Sequence, residues 1–162
     1  MASNSYLNLA GQKQGSIKGG VTQKGREGNI LVMAFHHEIT SPIDTASGLA
    51  TGKRMHKPFV ITKEIDRSSP LLYSVLVTNE NLTTWELSCF GAKPNGAEIK
   101  TYTVTLNNAR IVDITSTMLN NRIGDNAKLP LMEDVSFAYQ KITWTWIDGN
   151  IQSSDDWESP VV

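Results

Sequence analysis

The sequence of 162 residues is poor in charge, in cysteine and in long apolar runs, and each shortage excludes a class of function. Lys and Arg number 15 against 16 Asp and Glu, so the chain has no net field that would attract nucleic acid or an anionic membrane. Charged residues make up 19% of the chain, below the usual ~25%. We therefore expect protein partners, no nucleic acid and no membrane insertion.

The only cysteine, Cys89, lies among strand-forming residues, so no disulfide framework forms within one chain. Met1–Tyr6 has neither the basic nor the apolar segment of a signal peptide, and no run approaches the ~18 apolar residues of a membrane span. These features predict synthesis and folding in a reducing cytosol, with export only by a route that needs no cleaved peptide. The length fits a single domain over residues 1–162.

The apolar segments predict an all-β chain. Ile30–Phe35 is a continuous run of strand formers, and Pro58–Thr62 is similar; both read as strands buried on two faces and central in a sheet. Ile99–Leu106 alternates threonines with larger side chains, which is typical of a strand with one apolar face. Pro94-Asn95-Gly96 is a turn that would pair this strand with Leu82–Phe90.

One short helix interrupts the strands. Ser69 can cap a helix whose first position is Pro70 and which ends near Asn79, giving an α-helix at about residues 70–79. The apolar residues that would share one face are Leu71, Leu72, Val75 and Leu76. We expect this face to pack on the sheets.

The final strand-rich segment changes its period. The large side chains occupy odd positions at Val135, Phe137 and Tyr139, then even positions at Ile142, Trp144 and Trp146. Two interpretations stay open. A β-bulge at Gln140-Lys141 would return all six to one face, or the second half of the strand would leave its own core and meet another surface.

Two segments, 40–57 and 116–131, lack any period and contain Gly and Pro. Loops longer than ~12–15 residues are uncommon in compact domains and are often functional. They are where we expect partners to bind.

No pattern for catalysis, for a cofactor or for a metal stands out. Gly20 and Gly25 have the spacing of a phosphate-binding loop, but the Lys-Ser/Thr pair is missing. His36 and His37 are adjacent on a strand and point to opposite faces, so they do not easily share one ion even with His56 as a third ligand.

Aromatic and acidic residues near the end leave two rival functions. Trp144, Trp146 and Trp157 would suit a carbohydrate-binding β-sandwich module, although core or interface positions are the more usual place for tryptophan. Asp155 or Glu158 would serve a small hydrolase only if their separation were fixed.

Three stretches taken together resemble the hemolysin-coregulated protein (Hcp) family, the inner-tube component of type VI secretion. They are Arg26-Glu27-Gly28, the segment Lys57–Tyr73 (KPFVITKEIDRSSPLLY), and the segment Tyr139–Gly149 (YQKITWTWIDG). The similarity runs from about Tyr6 to Trp157, which is nearly the whole chain.

The resemblance implies a compact β-barrel of two sheets with one short flanking helix. It also implies a homohexameric ring, stacking of rings into a tube, and expulsion of that tube from a bacterial cell without a cleaved signal peptide. The implied partners are the sheath, the spike and effector proteins carried in the lumen. The family is catalytically inert, so no catalytic residue is carried over.

Two sites follow as expectations. Ser41–Arg54 would project and join one ring to the next, with Ile43 and Leu49 as apolar anchors. The residues that would set the register by charge are Asp44, Lys53 and Arg54. The strand Ile30–Glu38 would line the lumen, which makes His36 or His37 a cargo contact.

Overall fold

The structure is a computed structural model that describes residues 3–158 as a succession of strands with one α-helix. The strands are β1 (Asn4–Gly11), β2 (Gly15–Ile17), β3 (Ile30–Val32), β4 (Ala34–His36), β5 (Ile39–Thr40), β6 (Met55–His56), β7 (Phe59–Glu64), β8 (Leu82–Ala92), β9 (Glu98–Asn107), β10 (Arg110–Thr117), β11 (Met132–Ala138), β12 (Lys141–Trp146) and β13 (Ile151–Asp156). The α-helix α1 is Ser69–Thr78, and a 3₁₀ turn covers Gly124–Asn126. No helix in the described part is long and apolar enough to cross a membrane.

The strands form two main antiparallel sheets and one small one. The larger sheet has the order β13-β12-β9-β8-β1, with both β2 and β3 paired to the far side of β1. The second sheet has the order β10-β11-β7-β4, and β5 pairs with β6 alone. The all-β prediction is confirmed. Within residues 3–158, however, the ladders do not close into a barrel, because no ladder pairs a strand of one main sheet with a strand of the other.

The core lies between the two main sheets and follows from alternation along the strands. In β7, Phe59 and Ile61 are buried, and Val135 and Phe137 of β11 stand beside them. The Trp85 ring from the opposite sheet meets Phe59 and Phe137 edge-on, with ring centroids 5.0 and 5.5 Å away. Edge-to-face contacts of this kind add to the stabilisation from area burial.

The prediction that Ile30–Phe35 is buried on both faces and central in a sheet is wrong. Ile30 and Val32 are buried, but Leu31, Met33 and Phe35 are 45%, 51% and 43% exposed. The segment belongs to both sheets: β3 pairs with β1, the Met33 N–H donates to the Thr62 carbonyl, and β4 pairs with β7. Its outer face is therefore apolar and in contact with solvent in the isolated subunit.

A second crossing between the sheets explains the change of period near Gln140. β11 lies in the smaller of the two main sheets and β12 in the larger one. Tyr139 and Ile142 are both buried because the chain enters the same core from opposite sides. The bulge interpretation is thus wrong, and the change of parity marks a corner.

The helix has the predicted extent, with small differences in its ends. Ser68 is the N-cap residue, one position before the expected one, and Asn79 ends the helix in the left-handed conformation with φ 52°. Its buried face is centred on Leu72 and Val75, whereas Leu71 is 39% exposed. The expectation that Leu71 shares the buried face is therefore wrong.

A buried ion pair fixes the start of this helix. The Lys63 side chain is fully buried on β7, and its Nζ donates to Glu133 Oε1 at 2.5 Å and to Ser69 Oγ at 3.2 Å. Ser69 Oγ also donates to the same Glu133 oxygen at 2.7 Å. One charge cluster thus joins β7, β11 and the first residue of α1.

Candidate interaction surfaces

The segment predicted to join rings is an extended hairpin whose base is the β5–β6 pair. Ile43 pairs with Ala50 in an isolated bridge, and the Thr51 N–H donates to the Pro42 carbonyl at 3.0 Å. At the tip, Gly48 has a φ of 72°, which an L side chain rarely adopts. The segment is therefore an ordered two-stranded arm.

Asp44 shapes the tip of this arm. Its carboxylate accepts hydrogen bonds from the Ala46 N–H at 3.1 Å and the Ser47 hydroxyl at 2.8 Å. These bonds hold the pKa of the Asp44 carboxyl below its usual value, since they favour the charged form. A role for Asp44 in register between rings stays a prediction.

The predicted anchors are exposed at the tip. Ile43 is 59% and Leu49 69% exposed, and they lie on opposite strands of the arm. Ile43 is in the bridge to Ala50, and Leu49 is the residue before Ala50. Lys53 is also exposed. Two exposed apolar side chains near the end of an arm suit contact with a second surface.

The base of the hairpin is fixed to β13 by charge. Arg54 donates through Nε and Nη2 to the two carboxylate oxygens of Asp155, at 2.6 and 2.8 Å, and through Nη2 to the Asp156 carbonyl. The guanidinium first, and then His56, hold the pKa of the Asp155 carboxyl below its usual value. Arg54 thus contacts its own subunit, and its predicted role between rings stays a prediction.

A hydrogen-bonded chain continues inward from Asp155. His56, with a side chain only 1% exposed, places Nε2 2.7 Å from Asp155 Oδ2 and Nδ1 2.7 Å from the Tyr139 hydroxyl. Nε2 of His37 lies 2.7 Å from the same hydroxyl. Burial, and then the charge of Asp155, raise the pKa of Tyr139 far above its ordinary value.

The two histidines predicted to face a lumen have different surroundings. His36 is exposed at the end of β4, whereas His37 is half-buried with its ring stacked on Phe59 at 5.1 Å. Burial first, and then the charges of His56 and His36, lower the pKa of His37. No cluster of three or more potential metal ligands occurs in residues 3–158. The lumen role of both histidines stays a prediction.

The outer face of the β3–β4 segment continues into the second irregular loop. Met33 lines a groove of about 340 Å³ together with Leu119, Leu129 and Met132. Leu119 and Leu129 are 48% and 52% exposed and come from the loop between β10 and β11. The groove and the β3–β4 face form one apolar surface, which we call the apolar strip.

The tryptophans do not form a common platform. Trp157 stacks on His56 at 5.9 Å and donates its indole N–H to the Tyr139 carbonyl. Trp144 packs partly against the core, and Trp146 is 49% exposed at the end of β12. Sequence reasoning considered His56 only as a metal ligand and missed its place in the chain of hydrogen bonds, because the partners are about 80 to 100 residues away.

Comparisons with known proteins agree over nearly the whole chain. A family model described as "Type VI secretion system effector, Hcp" matches residues 6–146. The major exported protein of Pseudomonas aeruginosa is 41% identical over 170 residues, which cover 99% of both chains. A crystal structure of an Hcp protein has a TM-score of 0.90 at 30% identity and covers 98% of this chain and 100% of that one. Hcp1 of E. coli EAEC 042, solved as a double mutant, has a TM-score of 0.85 at 37% identity and covers 96% and 99% of the two chains. These relatives give no support to a carbohydrate-binding module.

Proposed function

This chain belongs to the Hcp family of type VI secretion proteins and is a tube subunit, and on that premise we propose that six copies close into a ring and that rings stack. The observation that carries the ring is the apolar strip. Its strand residues Leu31, Met33 and Phe35 are each more than 40% exposed in one subunit. A contiguous exposed apolar surface marks an interaction site. When copies associate head to tail and close into a ring, each copy has this surface covered by its neighbour.

The edges of the sheets support the same arrangement. β4 pairs with β7 on one side only, and β13 pairs with β12 on one side only, in the part of the chain that the structure describes. An unpaired strand edge is a template for another strand. A ring would protect both kinds of surface in every subunit.

The ring is tested by the mass of the protein in solution. Light scattering at micromolar concentration should give six times the subunit mass of 17.8 kDa. Met33→Lys should lower this mass to that of the monomer while the far-ultraviolet dichroism stays unchanged, because a charge would be buried at the contact.

Val77→Lys is the matched control, since Val77 is an apolar residue that is 78% exposed on the helix and does not line the groove. This variant should keep the mass of the ring. A wild-type protein that stays monomeric, or a Met33→Lys variant that still forms the ring, would contradict the assignment.

We place the extended hairpin between rings, with Ile43 and Leu49 as the contacts. Replacing Ile43–Leu49 by a short Gly-Ser turn removes the tip but keeps the bonds from Arg54 and His56 to Asp155 of β13. Since loop closure depends only weakly on length, the subunit should fold. Electron microscopy should then show rings without stacked tubes. Normal tubes would refute this role, and loss of the ring would move the hairpin to contacts within a ring.

The protein is a secreted structural protein that works with type VI secretion partners. We propose that these partners are the sheath on the outside of the tube, the spike at its tip and effectors in its lumen. His36, exposed at the end of β4, is the better lumen candidate of the two histidines, because His37 is held by Tyr139 and Phe59. We further propose one tube-subunit domain over residues 1–162, made in the bacterial cytoplasm and exported without cleavage.

Retention of a bound effector by purified rings tests the lumen role. His36→Ala should leave the ring intact and change retention, whereas Val77→Lys, at an exposed position on the helix, should change neither. Unchanged retention in His36→Ala would remove the histidine from the lumen contacts.

A further inference from the structure

The hydroxyl of Tyr139 lies 2.7 Å from a ring nitrogen of His37 and 2.7 Å from a ring nitrogen of His56, and it has one proton to donate. A neutral imidazole has one nitrogen that donates and one that accepts. The proton positions in this chain are therefore not independent of one another. They follow from the one partner whose role is fixed, the Asp155 carboxylate, which only accepts.

With both histidines neutral, a single arrangement satisfies every bond. Nε2–H of His56 donates to Asp155, so Nδ1 of His56 must accept the Tyr139 proton. The Tyr139 oxygen then accepts from Nε2–H of His37. The hydrogen bonds run from His37 toward Asp155, and His37 is in its Nε2–H form.

One added proton on His56 reverses two of these bonds. Both nitrogens of His56 now donate, one to Asp155 and one to the Tyr139 oxygen. The added proton enters at Nδ1 of His37, Nε2 of His37 passes its proton to the Tyr139 oxygen, and the Tyr139 hydroxyl passes its original proton to Nδ1 of His56. The Tyr139 hydroxyl then donates to Nε2 of His37, the only acceptor left. Every bond is again satisfied, no heavy atom has to move, and His37 stays neutral.

The surrounding charges favour His56 as the place for this proton. The other charged or titratable groups at the cluster are Arg54 just before β6, Asp155 and Asp156 on β13, the Glu38–Lys57 ion pair beside β5 and β6, and His36 at the end of β4. Asp155 lies 2.7 Å from His56 and is also bonded to Arg54, so its charge faces both cations. His37 packs on the apolar ring of Phe59, and its lowered pKa agrees with a ring that resists protonation.

We propose that His37, Tyr139 and His56 form a reversible relay that stores one proton on His56, switches His37 from its Nε2–H to its Nδ1–H form, and keeps the hairpin attached to β13 in both states. A second proton, on His37, would direct two donors at the Tyr139 oxygen and leave the Tyr139 proton without an acceptor. The second protonation therefore breaks a bond at the Tyr139 hydroxyl, whereas Arg54 and His56 remain bonded to Asp155 on β13. The relay lies within one subunit and does not depend on ring assembly.

Solid-state NMR of the sedimented full-length protein, with ¹⁵N-labelled histidine, tests the relay directly. The chain has three histidines, so six ring nitrogens report the whole titration. When the pH is lowered from about 8 to about 5, the relay predicts that both nitrogens of His56 become protonated. Over the same range Nε2 of His37 should change from the protonated to the unprotonated type while its Nδ1 changes in the opposite sense. A His37 ring that keeps its tautomer, or that becomes doubly protonated before His56, would overturn the proposal.

Two variants separate the relay from a general effect of pH. Tyr139→Phe removes the shared hydroxyl, so the tautomer of His37 should no longer follow the protonation of His56; a change that persists would overturn the relay. Asp155→Asn removes the charge that stabilises the proton on His56, and the midpoint of the His37 change should fall by about one pH unit or more.

Asp156→Asn is the matched control. Its carboxylate binds Gln140 and the Glu158 N–H rather than His56, so this variant should keep the wild-type midpoint. An equal fall of the midpoint in both Asn variants would attribute the effect to net charge and overturn the assignment to Asp155.

Discussion

At the scale of single residues, Lys63 is a charged side chain that is completely buried in an otherwise mostly apolar interior. Its ammonium group is fully buried and surrounded by Glu133, Ser69, the Asp66 carboxylate and the Glu64 carbonyl. A buried charge is tolerated only when it is paired and hydrogen-bonded, and the desolvation cost makes loss of one partner severe. The pair thus specifies how β7, β11 and the helix start fit together.

Lys63→Met should lower the free energy of unfolding by about 3–5 kcal/mol, because it leaves the Glu133 carboxylate buried without its cation. Urea unfolding followed by tryptophan fluorescence measures the change. Lys57→Met is the control, since its ion pair with Glu38 is about half exposed and should leave the unfolding midpoint almost unchanged. The double variant Lys63→Met, Glu133→Leu should be more stable than Lys63→Met alone. A small loss in Lys63→Met would show that the pair is not decisive.

Asp155 should make stability depend on pH at the acid end. Its pKa is lowered in the folded state, mainly by Arg54, so it stabilises the fold above its unfolded pKa of about 3.9 and loses this effect as the pH falls through the folded value. Asp155→Asn should therefore be less stable than wild type at pH 7, and the difference should shrink below about pH 4. Unfolding midpoints measured from pH 7 to pH 2.5 test this, and a difference that stays constant with pH would contradict it.

At the scale of elements, glycine allows the first hairpin to meet the end of the helix. A Cβ on Gly11 would lie 2.0 Å from Glu80 Oε2, and this carboxylate oxygen accepts the N–H groups of Lys13 and Gln14 in the turn between β1 and β2. Glu80 is 7% exposed and follows directly after the C-cap residue of α1. The turn thus depends on a side chain far away in sequence.

Gly11→Ala should lower the free energy of unfolding by about 1–3 kcal/mol, because the new methyl group displaces the Glu80 carboxylate from the turn. Gly20→Ala should be nearly neutral, since nothing lies within 4 Å of the added Cβ at that position. Thermal unfolding of the two variants side by side decides the matter. Equal midpoints would mean that Glu80 moves aside without loss.

The local elements were predictable where one residue determines the backbone. Gly96, with φ 84°, closes the turn between β8 and β9 as Pro94-Asn95-Gly96 predicted, and Gly149, with φ 81°, closes the one between β12 and β13. The exposure of Leu31, Met33 and Phe35 was not predictable in the same way. A continuous apolar run reads as buried on both faces whether the second face meets the core or another subunit.

At the scale of the whole molecule, one subunit leaves several apolar surfaces open. The first is the apolar strip, and the second is formed by Ile43 and Leu49 near the tip of the hairpin. The third is Ile151, which is 66% exposed at the start of β13. The proposed ring and the proposed stacking of rings would cover the first two of these surfaces. The proton relay is the opposite case, since its three side chains bond to one another and to Asp155 within one chain.

The proposed export without cleavage predicts that secreted protein has the same mass as protein from inside the cell. Intact-mass measurement on culture supernatant tests this, with protein from the cell pellet as the reference. A secreted form shorter than the cellular one by fifteen or more residues would contradict export without cleavage.

The candidate sites were predictable only in part. The arm itself followed from its length and its glycines, and its apolar tip residues are exposed as expected. The links from Arg54 and His56 to Asp155 were not foreseeable, since about 100 residues separate the partners and no local pattern records their pairing. The same holds for Lys63 and Glu133, which are 70 residues apart.

The passage of Ile30–His36 from one sheet to the other at Met33 has a mechanical consequence. Together with the crossings at Asn108–Ala109 and Tyr139–Gln140, it ties the two sheets by short covalent connections at three places. Sliding one sheet over the other then requires stretching the polypeptide itself, rather than only separating side chains. A subunit built in this way transmits force along the backbone of its strands. In an optical trap, sliding the two sheets apart should need more force than peeling β13 from the edge of its sheet.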